Sequence, residues 1–263
     1  DKRLEGNAEV VLAGLEYYRG GDFEICQKYY DNLFAQTRQS GDHLQLTWAT
    51  YGICFLNLVR GEFEAAIENA RNGESLDDTP INVAHLNSIR AMANWRLGNE
   101  GQAVQNCARA LKILVTLPPQ VYSLLMAYRM VAQVSFEAWE QGKTFNVPGW
   151  RTKSELAKTF STLMRLFRKY EHTFPMGEPS LLYYQGCRKW LEGKHKAAFE
   201  DWEASARSAK RLAMPWDEAN ALREIGKRSG IETKRQYLQR ALDLFTSSRA
   251  TYDARETNHK VMN

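Results

Sequence analysis

The chain has 263 residues, 44% of them hydrophobic and 25% charged, with a formal net charge of +4; this is the composition of an ordinary folded protein with a sizeable core. No apolar run approaches the roughly 18 residues needed to span a bilayer, and no charged-then-apolar leader opens the chain, so neither insertion nor secretion is indicated. Cys26, Cys54, Cys107 and Cys187 are far apart with no CxxC spacing, which excludes a disulfide framework or zinc-ribbon pattern and leaves buried thiols in a reducing cytoplasm as the expectation.

In chain order, Glu9 to Arg19 and Asp22 to Thr37 read as two amphipathic helices about a Gly20-Gly21 turn, with Asp22 placed to cap the second. Leu44 to Val59 and Glu62 to Arg71 repeat the arrangement about Gly61, and Ser75 to Pro80 closes that unit. A third pair runs from about Asn82 to Leu97 and from Glu100 to Val115, ending at Leu117-Pro118-Pro119. Val121 to Gln141 and Ser154 to Tyr170 form a fourth pair with a long Gly142 to Trp150 connection. Ser180 to Leu191 with His195 to Arg211, then Pro215 to Lys227 with Thr233 to Ser247, complete six. Tyr252 to Asn263 reads as a short capping helix or a frayed tail. Period-two alternation is absent over any useful length, so the predicted class is all-α.

Three segments are nearly interchangeable: GDFEICQKYYDNL from Gly21, GEFEAAIENARNG from Gly61 and GNEGQAVQNCARAL from Gly98. Self-similarity at roughly 34 to 40 residues marks stacked helical hairpins, each burying its apolar face on the next. The chain is therefore predicted to be a single repeat domain over 1–263, more regular over 1–119 and more divergent over 120–263. It begins at Asp1 without Met, which gives the expectation of a piece excised from a longer polypeptide.

The segments resemble the tetratricopeptide repeat. Gly14, Tyr17, Gly21, Phe23, Cys26 and Tyr30 fit its pattern in the first unit, Gly14 at the position where paired helices cross closely. Cys54, Gly61, Phe63, Ala66 and Ala70 fit in the second, Ala91, Gly98, Ala103, Cys107 and Ala110 in the third, and Gly186, Gly193, Ala198 and Trp202 in the fifth. The last stretch, with Pro215, Trp216, Ala219, Ala221, Gly226, Ala241, Leu242 and Phe245, resembles the closing hairpin of repeat regions in large bacterial signalling ATPases of the maltose-activator type and in class III nucleotide cyclases. The resemblance implies a right-handed α-solenoid of about six hairpins. It also implies a non-catalytic interaction or sensing arm of a larger cytosolic signalling protein.

Catalytic signatures are missing. Gln141-Gly142-Lys143-Thr144 imitates the end of a phosphate loop but lacks the earlier glycine and the preceding strand. The five histidines show no metal-ligand spacing, and no nucleophile and base can be paired by a local signature. The chain is thus expected not to be an enzyme and to need no cofactor or metal.

Superimposing the repeats places aromatics on first helices, the elements that line the inner curve of such solenoids. Trp48, Tyr51, His85, Met92, Trp95 and Tyr183 are the predicted groove residues, suited to anchoring an apolar peptide or protein segment, while Phe55 and Trp190 read as core. The expected partner is a protein, a peptide or another domain of the same polypeptide. Arg165 to Tyr170 mixes cations with aromatics, yet the acidic first part of the chain argues against nucleic acid, which is not an expected partner, nor is a membrane. Residues 1–100 carry a net charge of −6 and residues 151–211 of +6, so head-to-tail self-assembly stands as an alternative function. A small-ligand sensor with a pocket between hairpins is the other.

Overall fold

Local side-chain chemistry starts the helices that begin at Phe23, His43 and Lys153. Asp22 accepts a hydrogen bond from the Glu24 amide at 2.8 Å and Asp42 one from the Gln45 amide at 3.1 Å. Thr152 accepts from the Glu155 amide while the Glu155 carboxylate accepts from the Gly149 and Arg151 amides. These bonds satisfy donors that have no partner within the helix. Gly61, Gly98 and Gly193 follow their helices with φ of 82°, 80° and 76°, a left-handed geometry that glycine adopts without steric cost.

The computed structural model describes residues 2–19, 21–119 and 121–262, with every side chain among them except those of residues 2–5, 7, 15, 17–19, 39, 40 and 232. The Gly20 part of the first turn and the packing of Tyr17 lie outside the described residues. Those described form α1 (Lys2–Arg19), α2 (Phe23–Ser40), α3 (His43–Arg60), α4 (Phe63–Glu74), α5 (Pro80–Arg96), α6 (Glu100–Leu114) and α7 (Leu124–Glu140). After a long connection come α8 (Lys153–Thr173), a 3-10 turn at Pro175–Gly177, α9 (Glu178–Leu191), α10 (His195–Arg211), α11 (Pro215–Arg228), α12 (Ile231–Ser247) and α13 (Thr251–Met262). No strand occurs among the described residues, so the all-α class holds.

Two local expectations change. Pro80 does not belong to a closing segment; it is the first residue of α5, where a missing N–H removes no helical hydrogen bond. Gly14 is small because Tyr122 lies over it: a Cβ there would meet the Tyr122 ring at 3.2 Å, not the paired helix. Gly186 does serve a crossing within a pair, since a Cβ would meet the Trp202 indole at 2.6 Å and the Ala198 carbonyl at 3.0 Å.

Each helix packs on its chain neighbours, and the odd-numbered helices also touch in sequence, α1 on α3, α3 on α5, α5 on α7, α7 on α9 and α9 on α11. The even-numbered helices lie outside this row. At its middle, α7 is covered by α5, α6, α8 and α9, which is why Leu124 to Ala132 is buried on every face. An all-round apolar helix has no solvent face to lose, and truncating one of its fully buried leucines costs ~2–5 kcal/mol.

The row returns on itself. Helix α13 packs on α3, the Phe23 amide donates to the Ser248 carbonyl at 3.2 Å, and Arg249 pairs with Asp22 at 3.1 Å and with Glu24. The C-terminal stretch is thus a docked capping helix rather than a frayed tail.

Candidate functional site

Among the described residues, two partly open cavities of different character lie along the inner row. The central one, about 100 Å³, is lined by α3, α5, α7, α9, α11 and α13, together with Phe63 of α4. Its polar groups are paired across helices. Arg129 reaches Asp217 at 2.6 Å and Ser180 at 2.7 Å, with its guanidinium 5.5 Å from the Trp216 ring centre. Arg223 reaches Asp253 at 2.6 Å, and the Trp216 indole donates to the same carboxylate at 3.0 Å. Burial pushes the Asp217 carboxyl up, against the pull of Arg129.

Beside this cavity Arg96 holds Glu137 with two bonds of 2.7 and 2.8 Å. The Trp95 indole and the Gln133 amide donate to that carboxylate at 2.6 and 2.7 Å. Burial would raise the Glu137 pKa, but the Arg96 charge and these donors override it and hold it at about 2. The inner axis is therefore cross-linked by compensated charges, each pair tying two helices together.

The second cavity, about 500 Å³, lies at the α1 end and is lined by α1, α3, α5, residues 121–123 and parts of α2 and α7. Trp48, Tyr51, Leu44 and Phe55 form its α3 wall, Ile81, Asn82 and His85 its α5 wall, and Val10 and Val11 its α1 side. Among the described residues that line it, none carries a charged side chain. Val11, Leu44 and Val121 stand exposed at its rim, an apolar collar of the kind that marks a binding surface. His85 is 4% exposed and stacks on Tyr51 with ring centres 4.4 Å apart and planes 27° apart. Burial lowers its pKa to about 4, opposed by a hydrogen bond with the Ser123 backbone.

The six predicted groove residues are thus divided. Trp48, Tyr51 and His85 share the larger cavity; Met92 and Tyr183 line the central one. Trp95 is buried, edge-on to Phe145 at 6.4 Å and bonded to Glu137. Phe55 is buried as expected and lines both cavities. Trp190 is half-buried, with the Arg228 guanidinium 4.8 Å from its ring centre. The sequence reading missed Tyr122 and Met126, which come from the connection before α7 and from its first turn. It also missed the arginine network, although Arg129 inside the apolar run LLMAYRMVAQV is the mark of a buried, partnered charge.

The other expectations fall as follows. The four cysteines are free and buried, and burial pushes the Cys54 thiol up to about 12, so it packs as an unreactive group. Phe167 and Tyr170 are buried while Arg165, Arg168 and Lys169 are exposed, so those aromatics offer no stacking platform for bases. Among the described residues no cluster of three or more His, Cys, Asp or Glu is placed to hold a metal, and no helix is long and apolar enough to cross a membrane. Neither the known protein-family models nor the curated proteins give a match to this chain. Over the described residues, fold and site together define an all-helical arrangement with a largely apolar pocket at one end of a charge-stapled inner row.

Proposed function

We propose that this chain is a tetratricopeptide-like solenoid serving as a non-catalytic regulatory sensing module of a larger cytosolic signalling protein, with the 500 Å³ pocket as its binding seat. The single observation that carries the reading is that pocket: partly open, without a charged side chain among its described lining residues, collared by exposed Val11, Leu44 and Val121, and lined by Trp48, Tyr51 and His85, three of the side chains expected at an inner groove. Its volume lies within the range of small-ligand sites, roughly 300–1,000 Å³. Along the rest of the inner row Arg96, Arg129 and Arg223 are committed to carboxylates, so these cations are engaged with the chain itself rather than offered to an extended peptide. Of the readings open at the level of sequence, a sensor for a compact apolar ligand fits this geometry best, ahead of a peptide laid along the curve.

The mechanism is differential binding. Helices α1, α3, α5 and the connection before α7 all line this pocket, so an occupant favours the arrangement that brings them together and thereby biases the whole row. Thermal denaturation of the chain against a library of small apolar compounds tests this. A binder at about 100 times its Kd adds ~2.7 kcal/mol of stability, and Trp48→Ala should abolish the resulting rise in Tm. A rise that survives Trp48→Ala unchanged would place the seat elsewhere.

A further inference from the structure

Two of the outer helices carry opposite charge. Residues 151–172 hold six basic and two acidic residues. On α8 the side chains of Lys153, Lys158, Arg165, Arg168 and Lys169 are exposed, while Glu155 and Glu171 are half-buried and Glu155 is engaged by the Gly149 and Arg151 amides. Lys158, Arg165 and Lys169 follow at spacings of seven and four and so share one face of the helix. Arg165 reaches the Thr162 hydroxyl at 3.0 Å, and among the described residues none of these five cations is paired with a carboxylate.

Residues 62–78 are the reverse, with six acidic residues and one basic, Arg71. Glu62, Glu64, Glu68 and Asp78 are exposed, and among the described residues none of the four meets a cation, whereas Glu74 is taken by Arg90. Glu64 and Glu68 stand four apart on one face of α4, as Arg165 and Lys169 do on α8, so each pair spans about 6 Å along its helix. Like charges at this spacing repel, and a strip of opposite charge relieves both faces.

We propose that the two faces are the halves of one contact between copies of this chain, the α8 cations of one copy lying on the α4 carboxylates of the next. A second copy is the occupant because this chain itself presents the complement, unpaired and at the same spacing. The faces differ, so the contact is heterologous: each pair of copies leaves one α4 face and one α8 face open, and further copies add head to tail. Exposed ion pairs contribute little each, which makes the contact weak and salt-sensitive, with charge setting its orientation and rate.

The test is sedimentation velocity of the intact chain over a concentration series at about 20 mM and about 300 mM salt, between which the screening length falls from about 20 Å to about 6 Å. The chain should associate at low salt, and the dissociation constant should rise about 10-fold or more at high salt. Glu64→Lys/Glu68→Lys and Arg165→Glu/Lys169→Glu, all at exposed positions, should each be monomeric alone and should associate when mixed. Lys196→Glu/Lys210→Glu, an equal charge change at exposed positions of α10, should leave association as it is. A chain that stays monomeric at low salt would overturn the self-contact, and retention on heparin that is lost in Arg165→Glu/Lys169→Glu would then give the α8 face to a foreign polyanion. Association that survives either reversal on α4 or α8, or that is lost equally in the α10 variant, would overturn it as well.

Discussion

Tyr252, in the last helix, stands edge-on to Phe63 at the start of α4, with ring centres 5.0 Å apart and planes at 81°. On its other side the Arg96 guanidinium lies 5.9 Å from the Tyr252 ring centre, and a Cβ on Gly61 would meet the ring at 3.1 Å. One side chain thus joins the C-terminal helix to α3, α4 and α5.

Tyr252→Ala should cost ~2–3 kcal/mol, below the range for a fully buried aromatic because Tyr252 is only half-buried. Arg249→Ala, which removes the exposed ion pairs to Asp22 and Glu24, should cost about 0.5 kcal/mol or less. Urea denaturation of both variants checks the contrast, and equal losses would mean that the closure rests on charge rather than on ring packing.

Glu137→Gln should be among the most damaging single changes, at ~3–5 kcal/mol, because it leaves the buried Arg96 charge uncompensated and turns one of the two acceptor oxygens into an NH2 facing other donors. The native pKa of Glu137 lies below its ordinary value of 4.5, at about 2. Its contribution is therefore complete above pH 4.5 and is lost as the pH falls toward 2. Stability measured across that interval should slope less in the variant than in the parent chain.

His85 works in the same sense, at higher pH. Its native pKa of about 4 lies below the ordinary 6.5, so between these values the unfolded chain binds the proton that the folded chain refuses. Stability should fall by on the order of 3 kcal/mol as the pH drops from 6.5 to 4. His85→Phe should remove that part of the slope, as read from denaturation midpoints at several pH values.

Two glycines that look alike in sequence should respond differently to alanine. Gly186→Ala drives a methyl group into the Trp202 indole and the Ala198 carbonyl and should cost ~1–3 kcal/mol through overpacking. Gly98→Ala meets nothing within 4 Å but must hold φ near 80°, at a cost of ~1–2 kcal/mol. Only the first should disturb the near-ultraviolet dichroism of Trp202.

What the sequence made legible was local. Gly61, Gly98 and Gly193 punctuate the chain because a left-handed turn wants glycine, and Asp22 caps α2 because a short acid reaches the free amides; α10 begins and ends at His195 and Arg211 as read. What it concealed depends on residues far along the chain. Trp95 looks like a groove aromatic until Glu137, 42 residues away, takes its N–H. Gly14 looks like a crossing within a helix pair until Tyr122 covers it. The pocket needs α1, α3, α5 and residues 121–123 in one place, and no periodicity within a single hairpin encodes that meeting. Pro80 was misplaced because proline ends one segment and begins another with the same chemistry.

The most direct measurement of the central claim is backbone chemical-shift mapping of the chain titrated with 2-naphthol, a compact, largely apolar probe. The largest changes should fall on Trp48, Tyr51, His85 and residues 121–123, with smaller ones spreading to α7. Changes centred instead on Arg129, Asp217 and Asp253, or on the outer face of α8, would contradict a binding seat at the α1 end of the row.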